Sequence, residues 1–232
     1  AQRPLIISGG GVRYSGAENT LGEFASKHGI PIAETIAGKG SITHTDPMHI
    51  GPIGIIGSSS ANKMAAEADV IIAVGTRLQD FTTGSWTAFS QNAKFVSINT
   101  ARWDANKHQA CAVVGDALET IQELNAHLFG DVESLDGGRK NIKFEGSDIQ
   151  NWSADENWTN KGHSEFLKWN QVLDKNQAPT NAKIPSYAQV VGLVNDLAEP
   201  EDTLVAAAGG IPGEVSKGWR VKNPGTFDCE FG

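Results

Sequence analysis

The residues best suited to chemistry sit near the carboxyl end. Gly209-Gly210-Ile211-Pro212-Gly213 follows the apolar run at residues 203–208. A buried strand that delivers such a glycine-rich loop lets backbone N–H groups come close to a phosphate or diphosphate; a plain turn is the alternative. A second cluster, Gly9-Gly10-Gly11, follows the run PLIIS at residues 4–8, where a doubly wound sheet places its phosphate-approach turn. The dinucleotide pattern G-x-G-x-x-G would need glycine at position 14, which is Tyr14, and no acidic residue ends the second strand in the expected place. A tight turn that needs glycine for steric reasons is at least as good a reading. A third cluster pairs GPIGIIG at residues 51–57 with Gly75-Thr76-Arg77-Leu78. Both fall at the carboxyl ends of strands, where Arg77 would clamp an anion or pair with Asp80. His44 and His49 flank a turn at Asp46-Pro47, and His108 and Cys111 lie three apart on an expected helix. Neither spacing specifies a metal site, and no Ser–His–Asp or Cys–His arrangement is defensible from sequence distance.

Positioning these groups requires alternating strands and helices. PLIIS, IPIA at residues 30–33, VIIAV at 70–74, KFVSIN at 94–99 and AVV at 112–114 are short continuous apolar runs, the pattern of strands buried on both faces. Helical patterns lie between them: residues 15 or 16 to 28, ended by Gly29, then 61–68 and 117–128. The alternation predicts an α/β fold with a doubly wound parallel sheet over residues 1–129. Residues 130–183 are polar, turn-rich and dotted with tryptophans, and read as a connecting segment between domains that packs against one of them, with a helix from Glu156 to Lys175 lying over the surface on its tryptophan anchors. From residue 184 a new α/β unit begins: a helix capped by Pro185-Ser186 and running to Leu197, one strand, and the glycine-rich loop. That is too little to bury a core alone, so 184–232 is expected to be the start of a domain.

The chain has 232 residues, 39% hydrophobic and 20% charged, enough apolar residues for a packed core. Its net charge of −8 repels phosphate backbones and anionic lipids, which argues against nucleic-acid and membrane partners. Two cysteines, Cys111 and Cys229, cannot build a disulfide framework, and no apolar run approaches the ~20 residues that span a bilayer. A cytoplasmic fragment is the expectation.

Taken together, GKGSI (38–42), residues 48–84, AKFVSINT (93–100) and VVGDALETI (113–121) resemble the central domain of thiamine diphosphate enzymes of the acetohydroxyacid synthase type. The resemblance rests on the order of the set: a GKG turn, a G-x-x-G loop before an AN-x-x-x-x-EAD helix, a VG-x-R strand exit and a final VGDA. The tail, with its GG-x-PG loop, Trp219-Arg220 and the PGTF-x-x-E-F-G run, is similar to the opening of the cofactor domain in the ring-opening hydrolases of inositol catabolism. The resemblance implies an enzyme that uses thiamine diphosphate and Mg²⁺ to break a C–C bond of a cyclic diketone, with the cofactor as electron sink and water giving an open-chain deoxy-glucuronate. Carried over, Gly210, Ile211, Pro212 and Gly213 fall on the loop against the diphosphate, and Gly209 gives it room. The family's activating glutamate lies on an amino-terminal domain and its Mg²⁺ ligands further along the cofactor domain, so no catalytic or metal residue is expected within these 232. Because residues 97–100 read Ser-Ile-Asn-Thr where flavin-binding relatives commonly place an acid, FAD is not expected. A homo-oligomer, dimer or tetramer, is implied for the full-length protein. The alternatives are an acetohydroxyacid synthase-like or decarboxylase thiamine enzyme, and a stand-alone FAD- or NAD-binding module using Gly9 to Gly11, Gly54, Arg77 and the Asn99 strand exit.

Overall fold

The computed structural model describes residues 1–129, 152–207 and 209–229. Six parallel strands form one sheet in the order β3-β2-β1-β4-β5-β6, with β1 at Pro4–Ser8, β2 at Ile32–Glu34, β3 at His49–Pro52, β4 at Val70–Val74, β5 at Lys94–Asn99 and β6 at Cys111–Val114. This is the doubly wound α/β arrangement that the alternation predicts, and the strand order reverses between β1 and β4.

Side-chain alternation divides the core into two layers. Ile6, Ile32, Val74 and Ile98 face one side, covered by Leu21, Phe24 and Ala25 of α2 (Glu18–His28) and by Ile121 of α6 (Ala117–Phe129). Leu5, Ile7, Ile71 and Ala73 face the other, covered by Ala61, Met64 and Ala65 of α3 (Ser59–Glu67) and by Trp158 and Phe166 of α7 (Glu156–Gln177). β1 is therefore buried along its whole length. α7 lies in the segment expected to connect and to pack against one domain, and its Trp158 and Phe166 enter the core of the central sheet. Trp158 Nε1 donates to Pro4 O at 2.7 Å, and Gly162 lets the helix approach Pro31 and Ile50. The polar stretch at residues 130–141 lies outside the described residues.

Several boundaries differ from expectation. Where one helix starting at Ser15 or Gly16 is expected, a short helix α1 (Gly10–Tyr14) precedes α2, and Ala17 is the residue before α2 begins. β3 takes His49 out of the expected turn. His108 lies not on a helix but in a 3₁₀ turn with φ 56°, stacked on Trp86, while Cys111 opens β6.

Residues 186–229 form a smaller layer. α8 (Tyr187–Leu197) starts with a complete capping box between Ser186 and Gln189. β7 (Leu204–Ala206) pairs in parallel with β8 (Phe227–Cys229), and α9 (Gly210–Gly218) lies between them in the chain. Val191, Val215, Trp219, Val221 and Phe227 bury a small core, more than the sequence suggests. It is incomplete: Val205, Leu193 and Leu197 are 74, 62 and 73% exposed. Ala208 and residues 230–232, the end of the PGTF-x-x-E-F-G run, lie outside the described residues.

Candidate functional site

A cleft of about 1020 Å³ opens at the carboxyl edge of the sheet, over the β1/β4 reversal. This is where open α/β sheets bind ligands. Its floor is Gly10, Gly11, Gly75 and Thr76. One wall carries Arg77, Phe81 and Asn99, and the opposite wall comes from the C-terminal layer through Val205, Gly209, Pro212, Gly213, Asp228 and Cys229. The three glycine clusters thus meet in one place.

Their roles differ. Gly9 N donates to Val74 O at 2.8 Å and Gly11 N to Gly75 O at 2.9 Å, so two of the three amides stitch the β1 exit to the β4 exit and are not free for an anion. Gly75 has φ +60°, and a Cβ there would lie 2.6 Å from Gly11 Cα. The triglycine is a steric crossing, and α1, at five residues, adds little dipole. Arg77 makes no ion pair with Asp80; it stands exposed at the cleft. Asn99 at the β5 exit is committed to backbone, donating to Thr76 O at 3.1 Å and accepting from Ala101 N at 2.9 Å.

The sequence reading misses an acid at the end of β2. Glu34 stands there, but it is not a cleft residue. Its Oε1 accepts from Gly40 N at 3.0 Å, while His49 Nε2 and Lys39 Nζ lie 3.2 and 3.8 Å from Oε2, all three side chains buried. Burial raises the Glu34 carboxyl, but His49, Lys39 and the Gly40 amide outweigh it and hold it below its ordinary range. Burial draws the Lys39 ammonium down, against the pull of Glu34. His44, close to His49 and Phe166, is pushed down to about 3 by burial and then by the positive charges of His49, Arg220 and Lys39. The cluster fixes the turn at residues 35–40, whose Thr35, Ile36 and Ala37 line the cleft. The spacing Glu34, Lys39, His49 carried no signal, because nothing in a sequence reports that a turn folds back on its own strand end. Among the described residues no group of three or more His, Cys, Asp or Glu suits a metal ion.

Gly209 to Gly213 is not an open loop. Gly209 precedes α9 with φ 150° and ψ −164°, a conformation essentially confined to glycine, and offers no side-chain cap. Gly210, Ile211, Pro212 and Gly213 form the first turn. The α9 N–H groups of Gly210 and Ile211 belong to the turn that has no intrahelical acceptors, Pro212 has no N–H to satisfy, and Gly213 is the first residue whose N–H has an i−4 carbonyl, that of Gly209. Gly209, Pro212 and Gly213 line the cleft.

The family model described as the thiamine pyrophosphate enzyme central domain matches residues 1–124. The chain belongs to the thiamine pyrophosphate enzyme family. Among similar proteins of this family are those named 3D-(3,5/4)-trihydroxycyclohexane-1,2-dione hydrolase: from Clostridium botulinum (strain Alaska E43), 34% identical over all of this chain and 36% of that protein; from Geobacillus thermodenitrificans, 35% identical over all of this chain and 36% of its own; and from Bacillus licheniformis, 33% identical over all of this chain and 37% of that one. The chain therefore spans little more than a third of the length of these relatives. In a thiamine pyrophosphate enzyme the matched residues are the central domain, here the six-stranded sheet and its helices. No helix among the described residues is long and apolar enough to cross a membrane.

Proposed function

We propose that this chain is the central domain (1–129), connecting segment (130–183) and opening of the cofactor domain (184–232) of a thiamine diphosphate- and Mg²⁺-dependent hydrolase. Its substrate is 3D-trihydroxycyclohexane-1,2-dione, and cleavage of a C–C bond opens the ring to 5-deoxy-glucuronate. The full-length protein works as a homo-oligomer. One observation carries the cofactor assignment: the start of α9 has no side-chain cap and lies at the cleft, which Gly209, Pro212 and Gly213 line, with glycine at three of the positions 209–213. A Cβ built on Gly213 would meet its nearest atom, Ile56 Cγ2, at 3.9 Å, an ordinary van der Waals contact. Such a cradle suits a diphosphate, since backbone donors and the positive end of α9 both favour anions.

When bound, thiamine diphosphate supplies the electron sink for breaking a C–C bond beside a carbonyl. This chain's residues orient and shield. The amides of Gly210 and Ile211 would hold the diphosphate end. Ile53, Ile56 and Phe81 on the facing wall keep that side of the cleft apolar and exclude water. The resemblance implies that the activating glutamate and the metal ligands lie outside these 232 residues. Supplying the full-length protein with thiamine diphosphate, Mg²⁺ and the cyclic diketone tests the reading. Ring opening supports it, and its absence with a bound cofactor removes the substrate assignment.

A nucleotide in the same cleft is the second reading, favoured by the cleft's position at the sheet's reversal. Against it stand the engaged amides of Gly9 and Gly11. Titration of this chain with FAD, NAD and ADP decides between the two.

A further inference from the structure

Arg13 lies on α1, at the carboxyl edge of the central sheet, yet its side chain serves the C-terminal layer. The guanidinium donates to Phe227 O, and its Nη2 donates to Gly225 O at 3.3 Å, more than two hundred residues away in sequence. Two neighbouring contacts hold the same short segment: Gly225 N donates to Gly40 O at 3.0 Å, and His44 N donates to Val221 O at 2.9 Å. Arg13 and Gly40 thus both hold the segment 225–227, Arg13 through two carbonyls and Gly40 through the Gly225 amide.

What they grip is the lead-in to β8. β8 is the only described strand beside β7, in the register Leu204↔Phe227, Val205↔Asp228 and Ala206↔Cys229, and Leu204 N donates to Thr226 O at 3.0 Å. β7 in turn aims the chain at Gly209 and the start of α9. A two-stranded sheet is marginal by itself. Its placement therefore depends on what anchors β8 to the larger body. A charged guanidinium on two carbonyls is a strong anchor, because charge-assisted hydrogen bonds are shorter and roughly twice as strong as neutral ones.

We infer that Arg13 is a positioning residue for thiamine diphosphate: by clasping the carbonyls of Gly225 and Phe227 it sets where β7 and the α9 amides stand against the cleft. The inference rests on the proposed role of Gly209 to Gly213, but the clasp itself does not. Arg13 touches neither cofactor nor substrate in this scheme and acts only through β8.

The test is Arg13→Met, which keeps the apolar stem and removes the donors, with Arg13→Lys as the partial rescue. Hydrogen exchange on the 232-residue chain, without cofactor, is expected to accelerate about tenfold at the amides of 204–206 and 214–218 in Arg13→Met, and less in Arg13→Lys, while β1 and β4 stay unchanged. In the full-length protein the calorimetric Kd for thiamine diphosphate is expected to rise about tenfold, with kcat at saturating cofactor unchanged. Exchange and Kd both at wild-type values in Arg13→Met overturn the inference; if that variant fails to fold, wild-type values in Arg13→Lys overturn it equally. A merely stabilising contact would lower the melting temperature while leaving Kd alone, which also overturns it. If the wild-type protein binds no thiamine diphosphate, the proposed function fails, and the exchange experiment still decides whether the clasp exists.

Discussion

Replacing Gly75 by Ala puts the steric reading of the β1/β4 crossing at risk directly. Gly75 has φ +60°, a left-handed conformation that costs a residue with a Cβ roughly 1–2 kcal/mol. The new methyl would also lie 2.6 Å from Gly11 Cα and 2.8 Å from Val12 N, both backbone atoms that cannot rotate away. Overpacking of that kind costs about 1–3 kcal/mol. The sum, about 2–5 kcal/mol, is a large part of the roughly 5–15 kcal/mol that stabilises a domain. Gly10 is the internal control. Its Cβ would meet Ala37 O at 3.2 Å and Ala37 Cβ at 3.4 Å, contacts that a shift of a few tenths of an ångström relieves, and its φ is not left-handed, so Gly10→Ala should stay within about 1 kcal/mol of wild type. Urea unfolding of the 232-residue chain, followed by tryptophan fluorescence, measures both. A Gly75→Ala midpoint near wild type, or a Gly10→Ala loss as large as that of Gly75→Ala, would refute the argument that the glycines serve a backbone crossing.

Three further outcomes follow from the packing and charges. Trp158→Phe leaves Pro4 O without its 2.7 Å donor in a buried setting and should lower stability by about 1–3 kcal/mol in the same urea assay; an unchanged midpoint would remove α7 from the core's account. On acidification, the unfolded chain protonates His44 from its ordinary 6.5 downward, while the folded chain refuses the proton until about 3. Stability should thus fall below pH 6.5 by up to about 1.4 kcal/mol per unit. Glu34, whose depressed value contributes stability above its ordinary 4.5, adds its loss only below that. His44→Gln should erase the limb between 6.5 and 4.5 in pH-dependent thermal melts and leave the lower one; identical curves would sink the assignment. The exposed Leu193, Leu197 and Val205 should make the 232-residue chain bind an apolar fluorescent dye, and Leu193→Lys with Leu197→Lys should cut that signal at least by half; dye binding untouched by both changes would place the apolar surface elsewhere.

Strands with uninterrupted apolar runs are the most legible part of this chain. VIIAV and PLIIS have the same bounds in the structure as in the sequence reading, since a strand buried on both faces needs little else to declare itself. β3 escaped because HIGP sits at the sheet's edge, contains Gly51 and Pro52, and has no periodicity to show. α1 was hidden for a related reason: its first two residues are glycines, which read as a break. At the site, composition pointed to all three glycine clusters but not to what each does. Gly9 and Gly11 look like a phosphate turn until their amides are traced to Val74 and Gly75. Gly209 to Gly213 looks like a loop until Gly209's backbone turns the following residues into a helix start. The Glu34–His49–Lys39 cluster and the Arg13 clasp were illegible for one reason. Both depend on pairs brought together only when the chain has folded, and long-range polar contacts leave no local pattern.

The account turns on whether the start of α9 holds the diphosphate. Gly213→Val is the sharpest probe, because its Cβ would have only an ordinary 3.9 Å contact while its methyls project into the cleft. In the full-length protein, calorimetric titration with thiamine diphosphate and Mg²⁺ should show affinity at least a hundredfold weaker than wild type, with the thermal midpoint held. Wild-type affinity in Gly213→Val would contradict the account.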